Sequence, residues 1–255
     1  MKKLLFIVLL FPFLIACNDD DLNDNQKEQL LDIATVDNPD QKTDFYFLTD
    51  KKERMWVKSS ALAYYRPKDG QRIVVNYSIL AGAPQSSTYK YTVRVNDVYE
   101  VLTKGIFNIT PATQDSIGND KISIGDIWVG GDYLNVEFVY PGYNRTHFIN
   151  LVSDASKTYT DGKVHLEFRH NDNGDAPTYN QWGMASFNIR SLRQTPGNKV
   201  ELVIHTNEFS GGNTTYQLTY DYTTSSASVA PKQIKLQGDR GIPGKLQFLQ
   251  HNKKV

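Results

Sequence analysis

The chain has 255 residues, 40% of them hydrophobic and 22% charged, with 28 basic and 28 acidic side chains. That length can bury a core in one large or two small domains, and the composition excludes a chain that is disordered throughout. A formal net charge of zero supplies no basic field for a polyanion, so nucleic acid is not among the expected partners.

The N-terminus reads as an export signal. Lys2 and Lys3 precede an apolar run from Leu4 to Ile15, which ends in Leu14-Ile15-Ala16-Cys17. The run is shorter than the roughly 20 residues a membrane-spanning helix needs, and a basic start with small residues before the cut describes a signal peptide over residues 1–16. Leu-Ile-Ala-Cys resembles a bacterial lipobox, which makes Cys17 the lipidation site, through diacylglycerol and further acyl chains such as palmitate, with the membrane as a partner. Each buried methylene adds about 0.8 kcal/mol to such an anchor. Cys17 is the single cysteine, so no disulfide and no second thiol is expected.

Behind it, Asn18 to Asp32 holds six acids against Lys27, which predicts an extended acidic tether over residues 17–32. The cluster partly resembles the surface-export signals of Bacteroidota lipoproteins; a solubilising spacer is the alternative. The chain is thus expected at the outer membrane, lipid-anchored, with either face open.

Short strand-like runs follow: Leu31–Thr35, Phe45–Thr49, Met55–Lys58, Arg72–Leu80 and Tyr89–Val95, then an ambiguous Val98–Leu102. Pro67-Lys68-Asp69-Gly70 reads as a tight turn. Five strands in that space predict an OB-like barrel over residues 33–112. Such barrels bind oligonucleotides or oligosaccharides, but Lys90 and Arg94 are diluted by Asp97 and Glu100, which favours an ordinary solvated face over a nucleic-acid platform. Tyr64, Tyr65 and Tyr143 stand out as loop tyrosines suited to partner contact.

Ile106 to Asp120, with Pro111 and Gly118, reads as the join between domains. Asp115-Ser116-Ile117 resembles the Asp-Ser/Thr-apolar O-glycosylation motif of Bacteroidota, which would modify Ser116. The clearest alternation of the chain lies in Tyr133 to Asp175. Leu134, Val136, Phe138 and Tyr140 oppose Asn135 and Glu137; Val164, Leu166 and Phe168 oppose His165, Glu167 and Arg169. Together with Thr146–Val152, these runs predict antiparallel strands joined at Pro141-Gly142, Asp161-Gly162 and Asn173-Gly174. Further runs at Lys121–Val129, Met184–Leu192, Lys199–Asn207 and Thr215–Tyr222 complete an antiparallel β-sandwich over residues 117–225. Residues 226–255, where six basic side chains face Asp239 alone, read as a basic tail.

Several stretches together resemble NigD-like lipoproteins. They are the segment from Asp126 to Phe138, then His147 to Leu151, Lys163 to Asn171 and Gly174-Asp175, with Lys68 to Arg72, Val75 to Tyr77 and Val95 to Tyr99 upstream. The resemblance implies an N-terminal OB-like domain, a C-terminal β-sandwich and an association with bacteriocin gene clusters. It carries no catalytic residues over.

Candidate chemistry is sparse. No HExxH, cysteine pair or histidine tract suggests a metal, and phosphate loops, dinucleotide fingerprints and GxSxG are absent, so no cofactor is expected. Glu137 and Glu167 would suit a glycosidase if neighbouring strands set them opposite each other, although cross-strand pairing with Arg169 explains them more simply. The oxygens of Asn171 to Asp175 suit either Ca²⁺ or an Asn-Gly turn, and the turn fits better. The chain is therefore expected to be a non-catalytic envelope lipoprotein that binds a protein or glycan. A bacteriocin accessory or immunity role is the alternative, and a glycan-active enzyme comes third.

Overall fold

A computed structural model describes residues 29–63 and 65–223. The signal segment, Cys17, Tyr64 and the basic tail lie outside the described residues.

The first domain is a closed barrel of β1 (Gln29–Asp37), β2 (Phe45–Thr49), β3 (Arg54–Ser60), β4 (Arg72–Gly82) and β5 (Tyr91–Glu100), in the order β1-β2-β3-β5-β4. Alternate residues of each strand fill it: Val36, Phe45, Phe47, Met55, Ile73 and Val93 are all buried. Register shifts in the β4–β5 pair at Asn76/Tyr77 and Ile79/Ala81 bend the ladder enough for closure. Tyr65, expected as an exposed loop residue, instead packs on this core, its ring 6.4 Å from Phe45. The acidic tether also ends earlier than expected: residues 29–32 belong to β1, where Leu30 and Leu31 pair with Tyr77 and Asn76 of β4.

The second domain stacks two sheets. The first contains β6 (Leu102–Lys104), β12 (Tyr179–Asn188), β9 (Tyr133–Gly142) and β8 (Ser123–Gly130), in that order. The other runs β14 (Gly212–Asp221), β13 (Lys199–Glu208), β11 (Val164–Asn171), β10 (Phe148–Asp154) and β7 (Ile106–Ile109). Most pairings are antiparallel, while β6–β12, β7–β10 and β11–β13 run parallel. Between the sheets sit Leu134, Val136, Phe138, Leu166, Phe168 and Phe187, among others, with the rings of Phe138 and Phe168 5.6 Å apart.

Two expectations change here. β9 does not pair with β10; the chain crosses from one sheet to the other after Gly142, so the inward faces of the two runs meet across the core. Period-2 alternation specifies which face is buried, and both arrangements bury the same face. The barrel also ends sooner than residue 112. β6 and β7, too short to show a period, pair with β12 and β10 of the sandwich, and the expected join holds β7 and one short helix, α1 (Gln114–Ile117).

The two domains are locked together. Ile33 and Val74 of the barrel and Val101 pack with Met184, Trp128 and Trp182 of the sandwich. Beside them Arg72, 1% exposed, makes a bidentate pair with Asp50 at 2.7 and 3.0 Å, donates to Asn135 Oδ1 at 3.0 Å, and stands 4.4 Å over the Tyr133 ring. Asn135 returns a bond to Asp50 at 3.0 Å and accepts from the Ser186 hydroxyl at 2.7 Å. Gly130 makes this docking possible, since a Cβ there would lie 2.0 Å from Asp50 Oδ2.

Candidate functional site at the loop end of the sandwich

One end of the sandwich gathers the β9–β10 loop, the β11–β12 loop and the tip of the β13–β14 hairpin. A string of buried polar groups fixes these loops. His170 is inward-facing on β11, in phase with Leu166 and Phe168. Its Nδ1 reaches the Lys121 carbonyl at 3.1 Å and its Nε2 lies 2.8 Å from His147 Nδ1, whose own Nε2 lies 3.2 Å from Asp175 Oδ2. Tyr140 packs on both rings, at 4.4 and 5.3 Å.

The termini of the string, a carboxylate and a carbonyl, only accept, so His170 donates from Nδ1 to the Lys121 carbonyl and meets His147 through Nε2. Burial, then the neighbouring His147, pushes the His170 pKa down, consistent with a neutral ring there. Burial alone would raise the Asp175 carboxyl, but backbone N–H groups of Tyr143, Asn144 and Arg145 and the His147 ring outweigh it and hold it well below the usual carboxylate range. Those backbone bonds, 2.5 Å from Tyr143 and 3.2 Å from Asn144, clamp the β9–β10 loop onto the β11–β12 loop.

Every ring nitrogen in this string is engaged within the protein. Neither histidine is therefore placed to take a proton from a substrate, and the group acts as a clamp. The turn after β11 closes as Asn-Gly chemistry predicts, with Asn173 and Gly174 at φ 55° and 63°. Side-chain oxygens of Asn171 and Asp172 accept backbone N–H groups of Asn173 and Gly174 at 2.8 and 2.7 Å. Among the described residues no group of three or more His, Cys, Asp or Glu side chains is arranged to hold a metal ion.

Exposed aromatic rings stand at this end of the sandwich. Tyr143 and Tyr179 are 57% and 61% exposed, with rings 6.3 Å apart, and Phe209 at the hairpin tip is 50% exposed. Phe209, Pro141, Pro177 and His170 line a shallow pocket of about 240 Å³, rimmed by Asp120, Lys121, Asp172 and Asp175. Small-molecule sites usually enclose roughly 300–1,000 Å³. This pocket is smaller than that.

The other sequence candidates are dispersed. Glu137 and Glu167 lie in different sheets, contrary to the opposed arrangement a glycosidase would use. Glu137 accepts from the Trp182 indole at 2.6 Å, and Glu167 pairs with Lys157 and Arg169. Burial works against ionisation of Glu167, yet those two cations hold its pKa below the ordinary value, the wrong direction for a general acid. His165, on the outer sheet face, bonds Asp161 at 3.0 Å and His205 at 2.9 Å beneath the stacked ring of Tyr159. Ser116 is exposed on α1. The histidine clamp carried two legible signs: parity puts His170 in phase with Leu166 and Phe168, and His147 in phase with Ile149 and Leu151, on the core side. Nothing local links His170 to His147 or Asp175, which the fold alone brings near.

Barrel, sandwich and clamped loops define a two-domain all-β module. The chain belongs to the NigD-like family: residues 33–101 match its N-terminal OB domain and residues 105–220 its C-terminal beta sandwich domain. A protein of unknown function from Bacteroides vulgatus ATCC 8482 is 31% identical over 79% of this chain and 95% of its own, with a TM-score of 0.67. A protein from Parabacteroides distasonis ATCC 8503, provisionally described as toxin related, is also 31% identical, over 76% of this chain and 94% of its own, with a TM-score of 0.66. A NigD-like immunity protein from Bacteroides caccae ATCC 43185, 17% identical over 78% of this chain and 98% of its own, shares the fold with a TM-score of 0.59. No curated protein matches the chain.

Proposed function

We propose that the protein is a non-catalytic lipoprotein of the cell envelope, held at the outer membrane through lipid on Cys17, which binds a partner protein with the loop end of its sandwich. The observation that carries the reading is the pair of exposed rings, Tyr143 and Tyr179, beside a loop fixed by Asp175, with exposed Phe209 lining the small pocket that Asp175 also lines. Exposed tyrosines are favoured anchors in protein interfaces, and fixed loops lose little freedom on binding. An O-glycan on Ser116 would sit on α1, where the Ser116 carbonyl accepts from Asn171 beside the same loops. The test compares quantitative co-purification from crosslinked cells for the wild type and a Tyr143→Ala/Tyr179→Ala variant. At least one envelope protein should be depleted in the variant, and an unchanged partner profile would contradict the reading.

An accessory or immunity role in a toxin system is the second reading, favoured by the 31% identical toxin-related protein. Deleting the gene should then alter toxin sensitivity or secretion; unaltered behaviour would remove that reading and leave partner binding standing.

A further inference from the structure

A second surface lies on the barrel. In β2 and β3 the residues that alternate with buried Phe45, Phe47, Met55 and Val57 face outward: Tyr46 and Leu48, then Arg54 and Trp56. Register sets Tyr46 opposite Trp56 and Leu48 opposite Arg54, with Asp37 of β1 beside Tyr46. Tyr89, from the β4–β5 loop, approaches this row with its ring 5.3 Å from Trp56 and 6.1 Å from Tyr46. The Arg54 guanidinium stands 3.8 Å over the Tyr46 ring, held there by Asp37 at 2.8 Å and Thr88 at 3.0 Å. Leu48, 41% exposed, extends the apolar edge.

The position of this cluster matters. A closed barrel in the order β1-β2-β3-β5-β4 is the OB architecture, which presents the face of its second and third strands, between the β1–β2 and β4–β5 loops, to oligonucleotides or oligosaccharides. Aromatic rings can stack on a base or on the C–H face of a sugar, so charge decides between the two. Around the rings Arg54 is paired with Asp37, Lys90 with Glu53 and Lys42 with Asp40. Lys58, exposed two residues beyond Trp56, is the one cation of β2 and β3 without an ion pair among the described residues, and a single charge falls short of the several on which binding to a phosphate backbone depends. Guanidinium, carboxylate and hydroxyl side by side instead offer the mixed donors and acceptors that vicinal sugar hydroxyls require.

We infer that this barrel face binds a neutral oligosaccharide, with sugar rings against Trp56 and Tyr89 and hydroxyls toward Arg54, Asp37 and Thr88. The site uses the other domain and another ligand class than the sandwich loops, so either reading can fail without the other.

The test titrates the purified full chain with neutral hexasaccharides (α-1,4-glucan, β-1,4-glucan and α-mannan) and with an oligothymidylate, by calorimetry and tryptophan fluorescence at low and high salt. One or more of the hexasaccharides should bind with salt-independent affinity. Trp56→Ala should weaken that binding by about tenfold or more, Tyr89→Ala should weaken it too, and Thr219→Ala, on the exposed side of β14, should leave it unchanged. Thermal melts confirm folding, and Tyr89, in a loop, serves if the Trp56 variant is unstable. The inference is overturned by any of three results: no hexasaccharide bound, binding indifferent to both barrel variants, or a preference for oligothymidylate that collapses with salt.

Discussion

Replacing Arg72 with Met tests whether the junction between the domains is held by charge. The guanidinium is 1% exposed and the Asp50 side chain 6%, and Arg72 makes two of its hydrogen bonds to that carboxylate and one to Asn135 across the junction. Removing one partner of such a pair strands a buried charge, which costs about 3–5 kcal/mol. In a protein of this size each kcal/mol moves the melting midpoint by roughly 2–4 °C, so Tm should fall by roughly 6–20 °C. Differential scanning calorimetry reads the shift. Adding Asp50→Leu removes the stranded charge and should restore a large part of the loss, because an apolar replacement for a whole ion pair is often neutral. A single variant that melts within about 2 °C of wild type, or a double variant less stable than the single, would refute the reasoning.

Gly130→Ala should act on the same junction, since its Cβ would meet Asp50 Oδ2 at 2.0 Å and Cγ at 2.4 Å. Overpacking of this kind costs about 1–3 kcal/mol, read as a lower denaturation midpoint in urea; a neutral substitution would mean that the domains separate freely. The imidazole of His170 should titrate below the ordinary value of about 6.5 in ¹H–¹³C NMR spectra, because burial disfavours its cation. With the folded pKa depressed, the unfolded chain binds the extra proton first. The His170 contribution is therefore favourable above about pH 6.5 and is lost as pH falls from there toward the folded midpoint; a midpoint at or above 6.5 would contradict the clamp. Cells fed labelled palmitate should label the wild-type chain and leave Cys17→Ser unlabelled, and equal labelling of both would remove the lipid anchor.

Faces were legible in the sequence where strands were long. The alternation of Leu134, Val136, Phe138 and Tyr140, or of Leu166 and Phe168, names the buried side correctly, because the side chains of a strand alternate whatever its neighbour. Partners were not legible for the same reason: β9 and β10 bury identical faces whether they pair or stand in opposed sheets. β6 and β7 are three and four residues long, too short for any period to emerge. Asn135 lies on the polar side of β9, opposite the core, yet it is 0% exposed because the barrel covers it. The same holds at the candidate sites. His147, His170 and Asp175 come from three separate segments, and Tyr46, Trp56 and Tyr89 from two strands and a loop, so both constellations exist only in the assembled fold.

The most direct measurement of partner binding places a photo-crosslinking amino acid at Tyr143, Tyr179 or Phe209, with Thr219 on the exposed side of β14 as control, and irradiates intact cells. The account expects one shared adduct from the three loop-end positions and none from position 219. No adduct at the loop end, or the same adducts from all four positions, would contradict it.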